Sequence, residues 1–186
     1  ITDSGSGSWT ETEAWQISAE PTVTIGMANG AAEYLLSRVR DVQRLADGRL
    51  ILIDGGSSEL RIFDAEGRYE LTLGRSGDGP GEFRWPEWIR VLPGDSLLVY
   101  DSQLQRVSLF SPDHRHIRST SLGEAGKPIG AFADGTLLVE IVEDGEEMEL
   151  GLVRDPLLFV RSSQGGEILD SLARTPGRER VQLDAG

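Results

Sequence analysis

Ten residues, Gly74-Arg-Ser-Gly77-Asp-Gly79-Pro80-Gly81-Glu82-Phe83, carry four glycines, the density of a loop that cradles phosphate on backbone N–H groups. Such a loop needs a Lys-Ser/Thr pair and a helix opening behind it. This one contains a proline and runs into Trp85-Pro-Glu-Trp88. The residues therefore predict architecture. Glycines reverse the chain at positive φ, Glu82 accepts N–H groups that an irregular loop leaves unmet, and Phe83 is an apolar plug between neighbouring sheets.

Other groups could also do chemistry. Asp113-His114-Arg-His116 would place two imidazoles on one face of a strand, as residues i and i+2 do, but a third metal ligand would have to come from elsewhere. These are the chain's 2 histidines, so any histidine-based triad would need one of them; a solvated hairpin tip is the plainer reading. Asp54 and Asp101 each end an apolar run, where carboxylates could converge on a calcium ion or cap the following turn; capping is preferred. The run Glu143-Asp144-Gly-Glu146-Glu147 lacks the ligand order of an EF-hand and reads as a solvated tip able to meet a basic partner. Trp85 and Trp88 are assigned first to packing between sheets and second to stacking on a sugar.

Composition narrows the field. Among 186 residues, 31 acidic side chains against 18 basic ones give a net charge of −13, which repels nucleic acid and anionic membrane surfaces. With no cysteine there is neither a thiolate metal site nor a thiol nucleophile. No apolar run approaches the roughly 20 residues that span a bilayer. The chain opens on Ile1 and a polar Ser4-Gly-Ser-Gly-Ser8 stretch, which suits an exported chain whose targeting segment has been removed, with a lipid anchor on the lost N-terminus as one form of that expectation.

The elements that must position these residues are short strands. Thr22–Ile25, Arg49–Ile53, Glu59–Phe63, Leu97–Tyr100, Arg106–Phe110, Thr136–Val142 and Leu157–Val160 alternate or carry β-branched clusters between Gly, Asp and Pro. Ala31–Leu36 allows a turn or two of helix. The strands recur: Asp54 to Asp101 and Phe63 to Phe110 are both steps of 47. The decapeptide has an earlier copy, Gly26, Glu33 and Tyr34 before Val42, matching Gly74, Glu82 and Phe83 before Val91 at steps of 48 to 49. A fainter third copy places Ala133–Val139 over Ala46–Leu52 and Gly166–Leu172 over Gly67–Leu73. A repeat of about 40 to 50 residues with about four strands is a propeller blade. The expected fold is all-β, a β-propeller of four-stranded antiparallel blades at approximately 27–74, 75–123 and 124–174. A flexible segment precedes it at 1–14, the propeller domain covers 15–186, and a strand from Trp15 to Ile25 closes the ring against the last blade.

The GxGPGEF crossing at Gly77–Phe83, the strands DGRLILID and GDSLLVYD, and the RIFDAEG hairpin at Arg61–Gly67 resemble those of NHL-type six-bladed β-propellers, specifically the bacterial extracytoplasmic branch. Six such blades need roughly 280 residues. The expectation is therefore that the chain is part of a longer propeller or that another polypeptide covers its open faces. The resemblance is specific for fold and leaves function open, since propellers of this kind bind proteins, carbohydrates or lipids and in some cases are hydrolases or lyases. Strong architectural repeats with no convergent nucleophile, base or metal cluster point to a non-catalytic scaffold for another protein: a periplasmic or extracellular accessory subunit of a larger membrane-associated assembly, for example respiratory or photosynthetic, without a cofactor. Two alternatives stay open, a calcium-dependent hydrolase or lyase using Asp54 and Asp101 on the axis, and a carbohydrate-binding module using Trp85 and Trp88.

Overall fold

The structure, a computed structural model, describes residues 18–123, 126–143, 146–147 and 152–181. The expected flexible segment 1–14 and Trp15 lie outside the described residues.

Three antiparallel sheets follow one another along the chain. The first holds β1 (Val39–Arg44), β2 (Leu50–Asp54), β3 (Glu59–Phe63) and β4 (Tyr69–Leu73) in sequence order, and the second holds β5 (Pro86–Val91), β6 (Leu97–Asp101), β7 (Arg106–Phe110) and β8 (His116–Ser121). The third contains β9 (Lys127–Ala131), β10 (Leu137–Val142), β11 (Glu146–Glu147), β12 (Leu152–Ser162) and β13 (Ile168–Val181). Here β9, β10, β12 and β13 repeat the four-stranded meander, while β11 pairs with the first residues of β12.

The repeat in the sequence is a repeat of register. Leu50 pairs with Phe63 and Asp54 with Glu59; Leu97 pairs with Phe110 and Asp101 with Arg106. Alternate residues of the first sheet, Ile51, Ile53, Leu60 and Ile62, pack with Ile89, Leu97 and Val99 of the second. The intervening residues of the second sheet, Leu98, Tyr100 and Val107, pack with Leu137, Val139 and Val160 of the third. The second sheet is thus covered on both faces, which is why β6 is a continuous buried run rather than an alternating one.

Three expectations change. Thr22–Ile25 forms no strand and pairs with no sheet; it passes over the first sheet's outer hairpin, where a Cβ on Gly67 would lie 3.0 Å from Val23 and 3.3 Å from Ile25. Val23 and Ile25 find partial cover there without a hydrogen-bonded ladder, while Thr22 and Thr24 stay exposed. Val42 pairs with Leu52 and Ile89 with Val99, so the structural partner of Val42 in the second sheet is Ile89, not Val91. The shorter path from Phe83 to β5 than from Tyr34 to β1 absorbs the difference. In the third sheet β13 runs on to Val181, well past the expected end of the repeat at 174, because β12 also extends and the two pair from Leu152↔Val181 to Ser162↔Ile168.

Candidate functional site

The glycine-rich decapeptide links the first sheet to the second, and its Glu82 carboxylate and several of its carbonyls are engaged by protein partners. Glu82 Oε2 accepts from Gly79 N at 2.8 Å, and Oε1 receives the Arg75 guanidinium at 2.6 Å. Phe83 N donates to Arg75 O and Gly77 N to Phe83 O. These contacts hold the Glu82 carboxyl below its ordinary range, chiefly through the Gly79 N–H and then through Arg75. The carbonyls converge on a cation: Arg106 donates to Asp78 O at 2.8 Å, Gly79 O at 2.7 Å and Glu82 O at 2.6 Å. A loop whose carbonyls surround an arginine presents the wrong sign to a phosphate. Gly74 has φ 71, and a Cβ there would lie 2.5 Å from the Phe83 ring, so this turn requires glycine. At Gly77 a Cβ would collide with the Glu82 carboxylate. Gly81 passes against His116, and Phe83 is fully buried 6.1 Å from Phe110.

The earlier crossing is built alike with different residues. Tyr34 packs against Phe63 with the rings tilted and their centroids 5.8 Å apart, and its hydroxyl accepts from Tyr69 N. Arg61 donates to the carbonyls of Ala32, Glu33 and Leu35, as Arg106 does for the second crossing. Thus Glu33 serves through its backbone carbonyl. Sequence reasoning missed Arg61 and Arg106 because they are not repeat-equivalent: the 47-residue step takes Arg61 to Ser108 and Glu59 to Arg106. The available signal was a single arginine in each third strand, Arg61 in ELRIF and Arg106 in RVSLF.

Asp54 and Asp101 are each 1% exposed and fully engaged. Asp54 Oδ1 accepts from Ser37 N and Gly56 N, and Oδ2 meets Arg61 at 2.8 Å. Asp101 Oδ2 accepts from Arg84 N at 2.7 Å and Trp85 N at 2.9 Å, and Oδ1 from Leu104 N at 2.9 Å. Each clamps its own turn and also ties down the crossing that enters its sheet. A cation at Asp54 would have to displace an arginine. In the third sheet the corresponding position is Ile141, paired with Leu158, so the carboxylate series stops at two.

The remaining candidates separate. Trp88 is 8% exposed, lies 5.5 Å from Tyr100 and donates Nε1–H to Pro128 O at 3.0 Å, so burial removes it as a sugar platform. Trp85 is 38% exposed with the Arg40 guanidinium 3.8 Å above its ring. Glu143 is ion-paired with Arg174 at 2.7 Å rather than free in solvent. Glu146 and Glu147 form β11 where a loop was expected, and Asp144 lies outside the described residues. His114, at φ 63, is no solvated tip: its Nε2 lies 3.1 Å from Arg49 Nη1 in the first sheet. The arginine donates, so the proton sits on Nδ1, which is buried with no partner among the described residues. Burial, then Arg49, pushes the His114 pKa down against weaker opposing pulls from Glu70, Asp113 and Asp47. His116 turns instead to Ser119 at 2.9 Å and to the edge of Phe110.

A protein family described as a 6-bladed β-propeller matches residues 31–122, the first two sheets with the crossing between them and the end of the one before. The fold is a β-propeller. Its blades align with the structure of a Bacteroides fragilis protein described as exported, at TM-score 0.60 and 18% identity over 82% of this chain and 42% of that one. A protein of unknown function from Bacteroides caccae (TM-score 0.42, 14% identity, 70% of this chain and 47% of that one) aligns too loosely to bear on function. So does a catalytically inactive virginiamycin B lyase from Staphylococcus aureus with quinupristin (TM-score 0.47, 15% identity, 77% and 42%). The chain spans less than half the length of each of these structures. No curated protein matches it.

Proposed function

We propose that these blades form a non-catalytic scaffold of the NHL-type, extracytoplasmic kind, presenting loops to another protein in the periplasm or outside the cell as an accessory subunit of a membrane-associated assembly. The observation that carries the reading is where the chemistry-bearing side chains are spent: Glu82, Asp54, Asp101 and His114 each bind backbone N–H groups or an arginine that fixes a crossing or a neighbouring blade. Groups engaged in this way hold loops still. Loops held on a rigid frame are what a docking platform requires. The placement outside the cytoplasm draws on the aligned Bacteroides fragilis protein described as exported.

The test is affinity purification of the tagged protein from detergent-solubilised native membranes, followed by light scattering. A stoichiometric partner is expected; recovery of the protein alone and monomeric would refute the reading. Calcium titration guards the enzymatic alternative: stoichiometric binding abolished by Asp101→Asn would move the assignment there.

A further inference from the structure

The first blade's inner strand and its approach carry three arginines in seven residues, Arg38, Arg40 and Arg44. Among the described residues none of the three has a carboxylate within ion-pair distance, whereas every arginine from Arg49 to Arg90 has one. In a chain of net charge −13, with acids to spare, this is a local reversal of sign.

Arg40 is built into place. Its guanidinium carbon lies over the Trp85 ring, 3.8 Å from the centroid, and Trp85 N is itself fixed by Asp101 Oδ2 at 2.9 Å. Gly55 makes the room: a Cβ there would lie 2.6 Å from Arg40 Nε and 2.8 Å from Arg38 O. Arg40 Nε is buried and has no hydrogen-bond partner among the described residues. With Nε covered, the Nη1/Nη2 end of the guanidinium is the fork left to grip a carboxylate through two parallel hydrogen bonds. Stacking restricts the side chain before any ligand arrives, so less rotamer freedom is lost on binding.

We propose that Arg40, stacked on Trp85 and with Arg38 beside it in sequence, is a binding site for a side-chain carboxylate in an acidic peptide segment of the partner. This rests on the scaffold reading above. The planar two-oxygen edge of a carboxylate matches the guanidinium fork, and the net charge of −13 opposes a long polyanion such as polyphosphate more than a segment with a few carboxylates.

The experiment is isothermal titration calorimetry of the protein with N-acetyl-tetraglutamate, N-acetyl-tetraglutamine and inorganic phosphate. Tetraglutamate is expected to bind and tetraglutamine not. Arg40→Gln should weaken tetraglutamate at least about tenfold, and Arg40→Lys should fall between, since it keeps the charge but loses the fork. Arg68→Gln, a surface change far along the chain, should leave binding unchanged, which controls for net charge. Equal binding of tetraglutamine, phosphate binding as tight as tetraglutamate, no tetraglutamate binding, or indifference to Arg40→Gln with a wild-type circular dichroism spectrum would each overturn the proposal. Its failure is separable from that of the scaffold reading. A membrane partner captured equally by wild type and Arg40→Gln sinks this site alone, whereas absence of any captured partner sinks the scaffold.

Discussion

Asp101→Asn puts the clamp argument at risk in one change. The buried carboxylate accepts three part-buried N–H groups, two at Oδ2 and one at Oδ1. An asparagine of the same shape has one acceptor oxygen. If that oxygen faces Arg84 N and Trp85 N, its amide group opposes Leu104 N, donor against donor; the reverse placement leaves two donors opposed. The better orientation turns two charge-assisted bonds, about 1.5–3 kcal/mol each, into neutral ones of about 0.5–1.5 kcal/mol, and leaves one part-buried N–H unmet at about 1–3 kcal/mol. Together these make a loss of about 4–5 kcal/mol. With a urea slope of about 2–3 kcal/mol per molar, the unfolding midpoint should fall by about 2 M at unchanged slope. Equilibrium urea unfolding followed by circular dichroism, with and without EDTA, reads it directly. A fall of less than about 0.3 M, or a wild-type stability that itself drops on adding EDTA, would show that Asp101 is not serving as a turn clamp.

Gly77→Ala must push the Glu82 carboxylate off Gly79 N and Arg75, so the same urea assay should show a clear loss, whereas Gly94→Ala, where a Cβ meets nothing within 4 Å, isolates the cost of a positive φ alone. Phe83→Ala empties a fully buried site between two blades and should cost about 3–5 kcal/mol; a loss under 1 kcal/mol would remove it as the plug. Trp88→Phe keeps the apolar contact but leaves Pro128 O without its donor, for about 1 kcal/mol by thermal melting. His114 has a folded pKa below its ordinary value of about 6.5, so the unfolded chain binds the proton first. Its contribution is present above pH 6.5, is lost as pH falls from there toward the folded pKa, and levels off below that. His116 is shifted in the same direction, mainly by burial. Melting temperatures should therefore decline from pH 7 to pH 5, and His114→Gln should flatten that decline; an unchanged slope would refute the Arg49 contact as the cause.

How much was legible depends on whether a feature repeats. The 47-residue step from Asp54 to Asp101 exposed two blades, because the same ladder register demands the same residue type at the same place. The third blade was fainter, since Ile141 replaces the clamp and β12 and β13 outrun the template. Strands β1, β5 and β9, which carry few β-branched alternations, went unread; tertiary packing and bulged pairing to their neighbours make them strands. Thr22–Ile25 looked like a strand locally and had no ladder to join.

Sequence alone determined the all-β repeat, the architectural use of GRSGDGPGEF and the capping use of the two aspartates, because glycine, proline and a short carboxylate act on the backbone within a few residues of themselves. Tertiary structure alone decided that Arg61 and Arg106 fill one role from inequivalent positions, that Trp88 is buried while Trp85 carries Arg40, and that His114 closes on Arg49. Those outcomes depend on which side chains of one blade come within about 4 Å of the next. Spacing along the chain does not encode that distance; it is set by how the stacked sheets turn their alternate faces toward one another.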